Sequence, residues 1–220
     1  MASNTHQANT PEISHLNMFF LSCLVGIVSG FGAILFRWMI AVVHNLFFYG
    51  TFNPRYDVFV HAPESIWGIF ILFGPIIGAI LVTFLVKTFA PEAQGHGVPE
   101  VMNAIYHEKG KIRPIVAVIK TLASAISIGS GGSIGREGPI AQIGSAFGSI
   151  LSMFVKMPTA QRVILVAAGA GAGIAATFNA PIGGMAFSIE LMLVSIAGRT
   201  LLPVGVAVVI ATYISRYFLG

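Results

Sequence analysis

The chain has 220 residues, of which 55% are hydrophobic and only 9% charged, and its mean hydropathy is +0.85. Its 12 basic and 8 acidic side chains cannot cover a soluble domain of this size, where about 25% of residues are charged, so a water-soluble globule is excluded and lipid is the remaining solvent. The net charge of +4 comes from basic residues spread along the chain without a dense patch, which excludes nucleic acid as a partner.

Residues 1–15 form a polar segment with no Lys or Arg. The apolar run behind it is far longer than the core of a signal peptide, so the segment is expected to be retained. The runs 16–49 and 66–90 each exceed the roughly 20 residues needed to cross a bilayer as helix. Arg37 and His44 in the second half of the first run favour a tilted crossing. The single cysteine, Cys23, lies inside that run, so the chain alone builds neither a disulfide framework nor a cysteine metal site. Residues 50–65 carry one basic residue, Arg55, whereas 87–114 carry Lys87, Lys109, Lys111 and Arg113. The positive-inside rule therefore puts 87–114 in the cytosol. With the first two runs as a hairpin, the N-terminus is cytosolic too, and the expectation is a multi-pass integral protein of the cell (inner) membrane.

Beyond residue 114 the apolar segments 115–134, 138–156, 162–178, 181–197 and 200–219 are short and interrupted by Gly and Pro. Irregular backbone at membrane depth survives only where protein or a water-filled cavity satisfies it, and broken helices near the midplane mark transport sites. Small residues recur four apart as Gly26/Gly30, Gly74/Gly78, Gly144/Gly148 and Gly169/Gly173, a spacing that lets helix backbones approach closely in lipid. The predicted architecture is an all-α polytopic transmembrane bundle with broken and re-entrant helices, with residues 1–15 as a polar cytoplasmic lead and 16–220 as the membrane domain.

One local device appears three times: Gly95-His96-Gly97-Val98-Pro99, Gly135-Arg136-Glu137-Gly138-Pro139 and Phe178-Asn179-Ala180-Pro181. Each sets Pro at the start of an apolar helical run, where its missing N–H costs nothing. A helix start offers unpaired amides and about half a positive charge, which attract a small anion without any ionised base. Partial charges bind such an ion weakly enough to release it, which suits conduction better than capture. Glu137 is an acid at such a start, and a charged carboxylate at the bilayer centre costs about 2.5–3.5 kcal/mol. Either Arg136 neutralises it, or it occupies the anion position itself and gates it. Gly131-Gly132-Ser133-Ile134-Gly135 also satisfies G-x-S-x-G, which raises a membrane-bound serine hydrolase using Ser133. That motif requires a preceding strand and a following His, and here every His precedes Ser133. No enzymatic activity is expected.

GREGPIAQIG at 135–144, APEAQGHGVPEV at 90–101, Lys120 seventeen residues before Glu137, and GAGAGIAATFNAPIGGMAFSIE ending at Glu190 resemble the CLC family of chloride channels and chloride/proton antiporters. The resemblance implies a homodimer in which each protomer has its own pore. It implies Glu137 as the gating glutamate, and Gly95, His96, Gly97, Val98, Arg136, Glu137 and Gly138 as the anion-binding loops. Lys120 would be a cation setting the field of the pore, or else a lysine snorkelling to the interface. Chloride would be the ligand, with no other cofactor and no metal.

Two positions depart from the family pattern. His96 stands where familiar members have a serine that touches the central anion; its ring either donates to the anion or satisfies nearby carbonyls. Leu191 follows Glu190 where antiporters commonly have a proton-accepting glutamate. Leucine carries no proton, so the expectation is a passive chloride channel, with chloride/proton exchange through Glu190 as the alternative and a paired structural acid as Glu190's other reading. Family members contain a second, inverted repeat. This chain corresponds to the first repeat only, a fragment or half a gene, with the second half of the fold expected in the same or another chain.

Overall fold

The computed structural model describes residues 12–54, 65–95, 97–193 and 195–219. His96, Arg55 and most of the polar N-terminal segment lie outside the described residues. Among those described there are helices and no strand.

Helix α1 spans His15–Tyr49; the Ser14 hydroxyl caps its start by accepting from Asn17 N–H, and Gly50 ends it at φ 63°. Its 35 residues extend about 52 Å, well beyond a hydrocarbon core of about 30 Å, so it crosses at a tilt, as Arg37 and His44 suggest. A 3-10 segment, Gly68–Phe73, runs directly into α2, Gly74–Phe89. Then come α3 (Val98–Tyr106), α4 (Pro114–Gly129), α5 (Glu137–Phe154) and α6 (Thr159–Phe178). Helix α7 (Pro181–Phe187) continues as a π-helical turn, Ser188–Met192, and α8 spans Gly198–Leu219. Helix α3 is the run expected behind Pro99; it lies within 87–114 and is only nine residues long, with Gly97 at its cap position.

The glycine spacings are contact seams. A Cβ on Gly26 would fall 2.6 Å from Ala207 O, and one on Gly30 3.2 Å from Ala211 Cα, so α1 and α8 run parallel in close contact. Gly144 abuts the Gly169 backbone, Gly148 abuts Leu165, and Gly173 abuts Ile140, which sets α5 antiparallel to α6. Gly78 meets Ser130 at the end of α4, and Gly171 meets Gly184 of α7. The Ala- and Gly-rich middle of α6 is wholly buried as a result. Without a hydrophobic force between helices in lipid, such backbone approach supplies the packing attraction.

These contacts bring the starts of α1, α4, α6 and α8 and the ends of α2, α3, α5 and α7 to one end of the bundle. Gln161 at the start of α6 exchanges two hydrogen bonds of 2.9 Å with the Ile13 backbone. Ser149 of α5 accepts from Ile112 N–H (2.8 Å) and donates to Gly110 O (2.9 Å). Arg162 reaches Lys109 O. Lys87, Lys109, Lys111, Arg113, Lys156, Arg162 and Arg199 therefore lie toward a single end, a stronger charge bias than the 87–114 loop shows alone.

Candidate functional site

The three glycine–proline devices are helix starts in the structure: α3 begins at Val98 behind Gly97, α5 at Glu137 behind Arg136, and α7 at Pro181 behind Ala180. Asn179 ends α6 in the left-handed region at φ 53°. That single residue turns the chain from α6 into α7, a break for which Asn is suited because its short side chain tolerates this backbone.

Two of the starts touch. Gly97 has φ 89°, and a Cβ there would meet Gly138 O at 2.5 Å, so the backbone of the first device lies on the first turn of α5. Only glycine fits at 97, on both counts. The second and third starts meet through Arg136, whose guanidinium carbon lies 5.1 Å from the centre of the Phe178 ring. Stacking on an aromatic face in place of a carboxylate is a known use of arginine. Arg136 therefore does not neutralise Glu137 as the structural reading of that acid required: among the described residues no ion pair joins them.

Glu137 is exposed, and its carboxylate folds back over the space where a Gly135 side chain would stand. Gly138 behind it is buried, whereas Gly135 and Arg136 are exposed. The mouth of α5 is thus an open polar surface carrying one acid, set among buried apolar helices.

Lys120 is buried, at 5% exposure. Its Nζ donates to Ala93 O at 2.8 Å and to Gly95 O. It is not a snorkelling lysine: it is an internal cation that ties down the loop leading into α3. Glu100, which sequence reasoning passed over, completes that loop. It accepts from the N–H of Gly97, the residue that caps α3, and its carboxylate fills the space beside Gly95. The signal was present as a glutamate at the third position of a helix start, from where it can reach back to the N–H of the cap residue. Val98 is half-buried at the first position of α3.

The structure does not bring every candidate together. Glu190 is exposed on the π-helical turn, with no salt-bridge partner among the described residues, and Leu191 beside it is half-buried. Ser133 is exposed in the connection from α4 to α5, which follows a helix. The strand that a nucleophile elbow needs is missing there, so the hydrolase reading fails.

The family model described as "Voltage gated chloride channel" matches residues 78–220. Among curated proteins, the H(+)/Cl(-) exchange transporter ClcA of Cronobacter sakazakii is 34% identical over 182 residues, 80% of this chain and 37% of that protein. ClcA of Salmonella schwarzengrund is 33% identical over 80% of this chain and 36% of its own. Among solved structures, a slow cyanobacterial Cl-/H+ antiporter superposes with a TM-score of 0.74 at 26% identity, over 96% of this chain and 48% of that one. A CLC-type fluoride/proton antiporter gives 0.74 at 23%, over 93% and 47%, a likeness of fold alone. The chain spans little more than a third of the length of the curated relatives it matches.

Proposed function

Since this chain belongs to the voltage gated chloride channel family, we propose that it forms part of a chloride pathway through the cell membrane and that this pathway exchanges chloride for protons. The observation that carries the reading is the contact of Gly97 with Gly138, which sets two helix starts against each other with the exposed Glu137 beside the junction. An anion at that junction meets N–H groups and helix dipoles instead of ionised bases, so it is held without being trapped. The Glu137 carboxylate competes for the same seat: ionised, it blocks the seat; protonated or displaced, it yields it. That makes it a gate and gives the proton a carrier.

Leu191 argued for a passive channel. Exchange is the better reading, because the curated relatives at 33–34% identity are named exchange transporters and the solved neighbour at 26% identity is named an antiporter. Further parts of the proposal are a second half of the fold, supplied by the same or another chain to cover the exposed mouth of α5, and a homodimer. The cation-bearing end of the bundle faces the cytosol, which also puts the N-terminus there.

The test uses sealed vesicles holding the full-length protein under an outward chloride gradient, with a chloride electrode and a pH electrode outside. Protons are expected to move against their own gradient as chloride moves. Glu137→Gln is expected to abolish proton movement while chloride still crosses. Chloride movement without protons in the unaltered protein would overturn exchange and restore the channel reading.

A further inference from the structure

We propose that Glu100 is the internal proton acceptor of this chain, reached from the cation-bearing end of the bundle by water in a cavity between α3, α4 and α5. The inference rests on the exchange reading above and answers a question that reading raises. An exchanger must deliver protons to Glu137 from the inner side, yet Leu191 has no exchangeable proton, and Glu190 sits exposed on the π-helical turn.

A cavity of about 450 Å³ opens beside α3, lined by Glu100, Glu108, Lys111, Arg113, Val116 and Gln142 among others. It has room for several water molecules. Gln142 supplies a separate sign that water belongs there. It is 2% exposed, and its Oε1 has no hydrogen-bond partner among the described residues. A buried amide oxygen without a donor is disfavoured, and the cavity it lines is polar enough to hold the water that would donate to it. The water would thus reach the inner wall formed by α5, the helix that carries Glu137 at its start.

Glu100 is the titratable group that belongs to both places. It lines this cavity, and its carboxylate also lies against Gly95 and accepts from Gly97 N–H. Gly97 in turn rests on Gly138, the neighbour of Glu137. The charged groups around Glu100 are defined. Lys120 of α4 interacts with it electrostatically, Lys111 and Arg113 lie on the connection into α4, and Glu108 at the end of α3 accepts from Asn103 Nδ2. From α5 the neutral Gln142 faces the cavity. The step balances with water as carrier: a hydronium in the cavity gives its proton to the Glu100 carboxylate and leaves water. The neutral acid passes that proton through water on the anion path to the Glu137 carboxylate and returns to its ionised form. Glu137 releases the proton to the outer solution.

The amide oxygen of glutamine can accept from the Gly97 N–H as the carboxylate does, so Glu100→Gln removes the acid and keeps that hydrogen bond. In the vesicle experiment, Glu100→Gln is expected to lower the number of protons moved per chloride at least tenfold, with chloride still crossing at a reduced rate, and Glu100→Asp to restore part of the ratio. Gln142→Leu, which removes the buried acceptor, is the second variant in case the first fails to fold; it too is expected to lower the ratio. Glu190→Gln is expected to leave the ratio as in the unaltered protein. A ratio unchanged in a folded Glu100→Gln or Gln142→Leu protein, or one abolished by Glu190→Gln, overturns the inference while exchange stands. An unaltered protein that moves chloride without protons, or no chloride at all, overturns the exchange reading and this inference with it.

Discussion

Helix α6 and the continuous segment Gly68–Phe89, made of the 3-10 turn and α2, are both apolar and long enough to cross a membrane, yet α2 and α6 meet opposite surroundings. In α2 only Gly78 and Val86 are buried, and Ile76, Ile77, Ile80, Leu81 and Phe84 stand exposed. In α6 everything from Val163 to Gly173 is buried, and the central residues are almost all Ala and Gly. The helix with the larger side chains is the outer one. Lipid welcomes bulky hydrocarbon, so α2 needs no protein around its outer face. Helix α6 sits among other backbones, and small residues let them approach. In a membrane protein, then, bulk marks the lipid face and smallness marks the core, the reverse of the rule for a protein in water.

Three substitutions probe that contrast. The largest effect is expected from Gly144→Leu, which drives a side chain into the Gly169 backbone. The cost is about 3 kcal/mol, and size-exclusion chromatography in detergent should show loss of the monodisperse peak. Survival of that peak would mean that the α5–α6 seam is not tight. Next comes Lys120→Met, which leaves the carbonyls of Ala93 and Gly95 without their donor. The expected loss is about 2 kcal/mol, read as a lower thermal midpoint together with slower chloride movement. Full-rate movement would show that the loop holds its shape unaided. The smallest effect is expected from Ile80→Leu on the outer face of α2, within about 0.5 kcal/mol. A larger shift in the thermal midpoint would reveal protein, not lipid, against that face.

The long runs 16–49 and 66–90 and the change of character after residue 114 were legible because hydropathy needs only composition over a window. The three helix starts were legible because proline and glycine have local effects on the backbone. What could not be read was pairing. That Gly26 faces Ala207, or that Gly97 faces Gly138, depends on contacts between residues far apart in the chain, and glycine spacing marks a seam without naming its partner. Lys120 shows the same limit: its ligands are main-chain oxygens of Ala93 and Gly95, which leave no trace in residue identity. The start of α3 was legible but not its short length, and the placement of Arg136 on the Phe178 ring was not, because that ring is distant in sequence.

The meeting of Gly97 with Gly138 has a mechanical side. Where side chains separate two segments, a small displacement of one can be absorbed by a change of rotamer in between. Main chain set directly on main chain has no such cushion, since neither surface can yield without moving its whole segment. A shift at the head of α3 would therefore press directly on the first turn of α5.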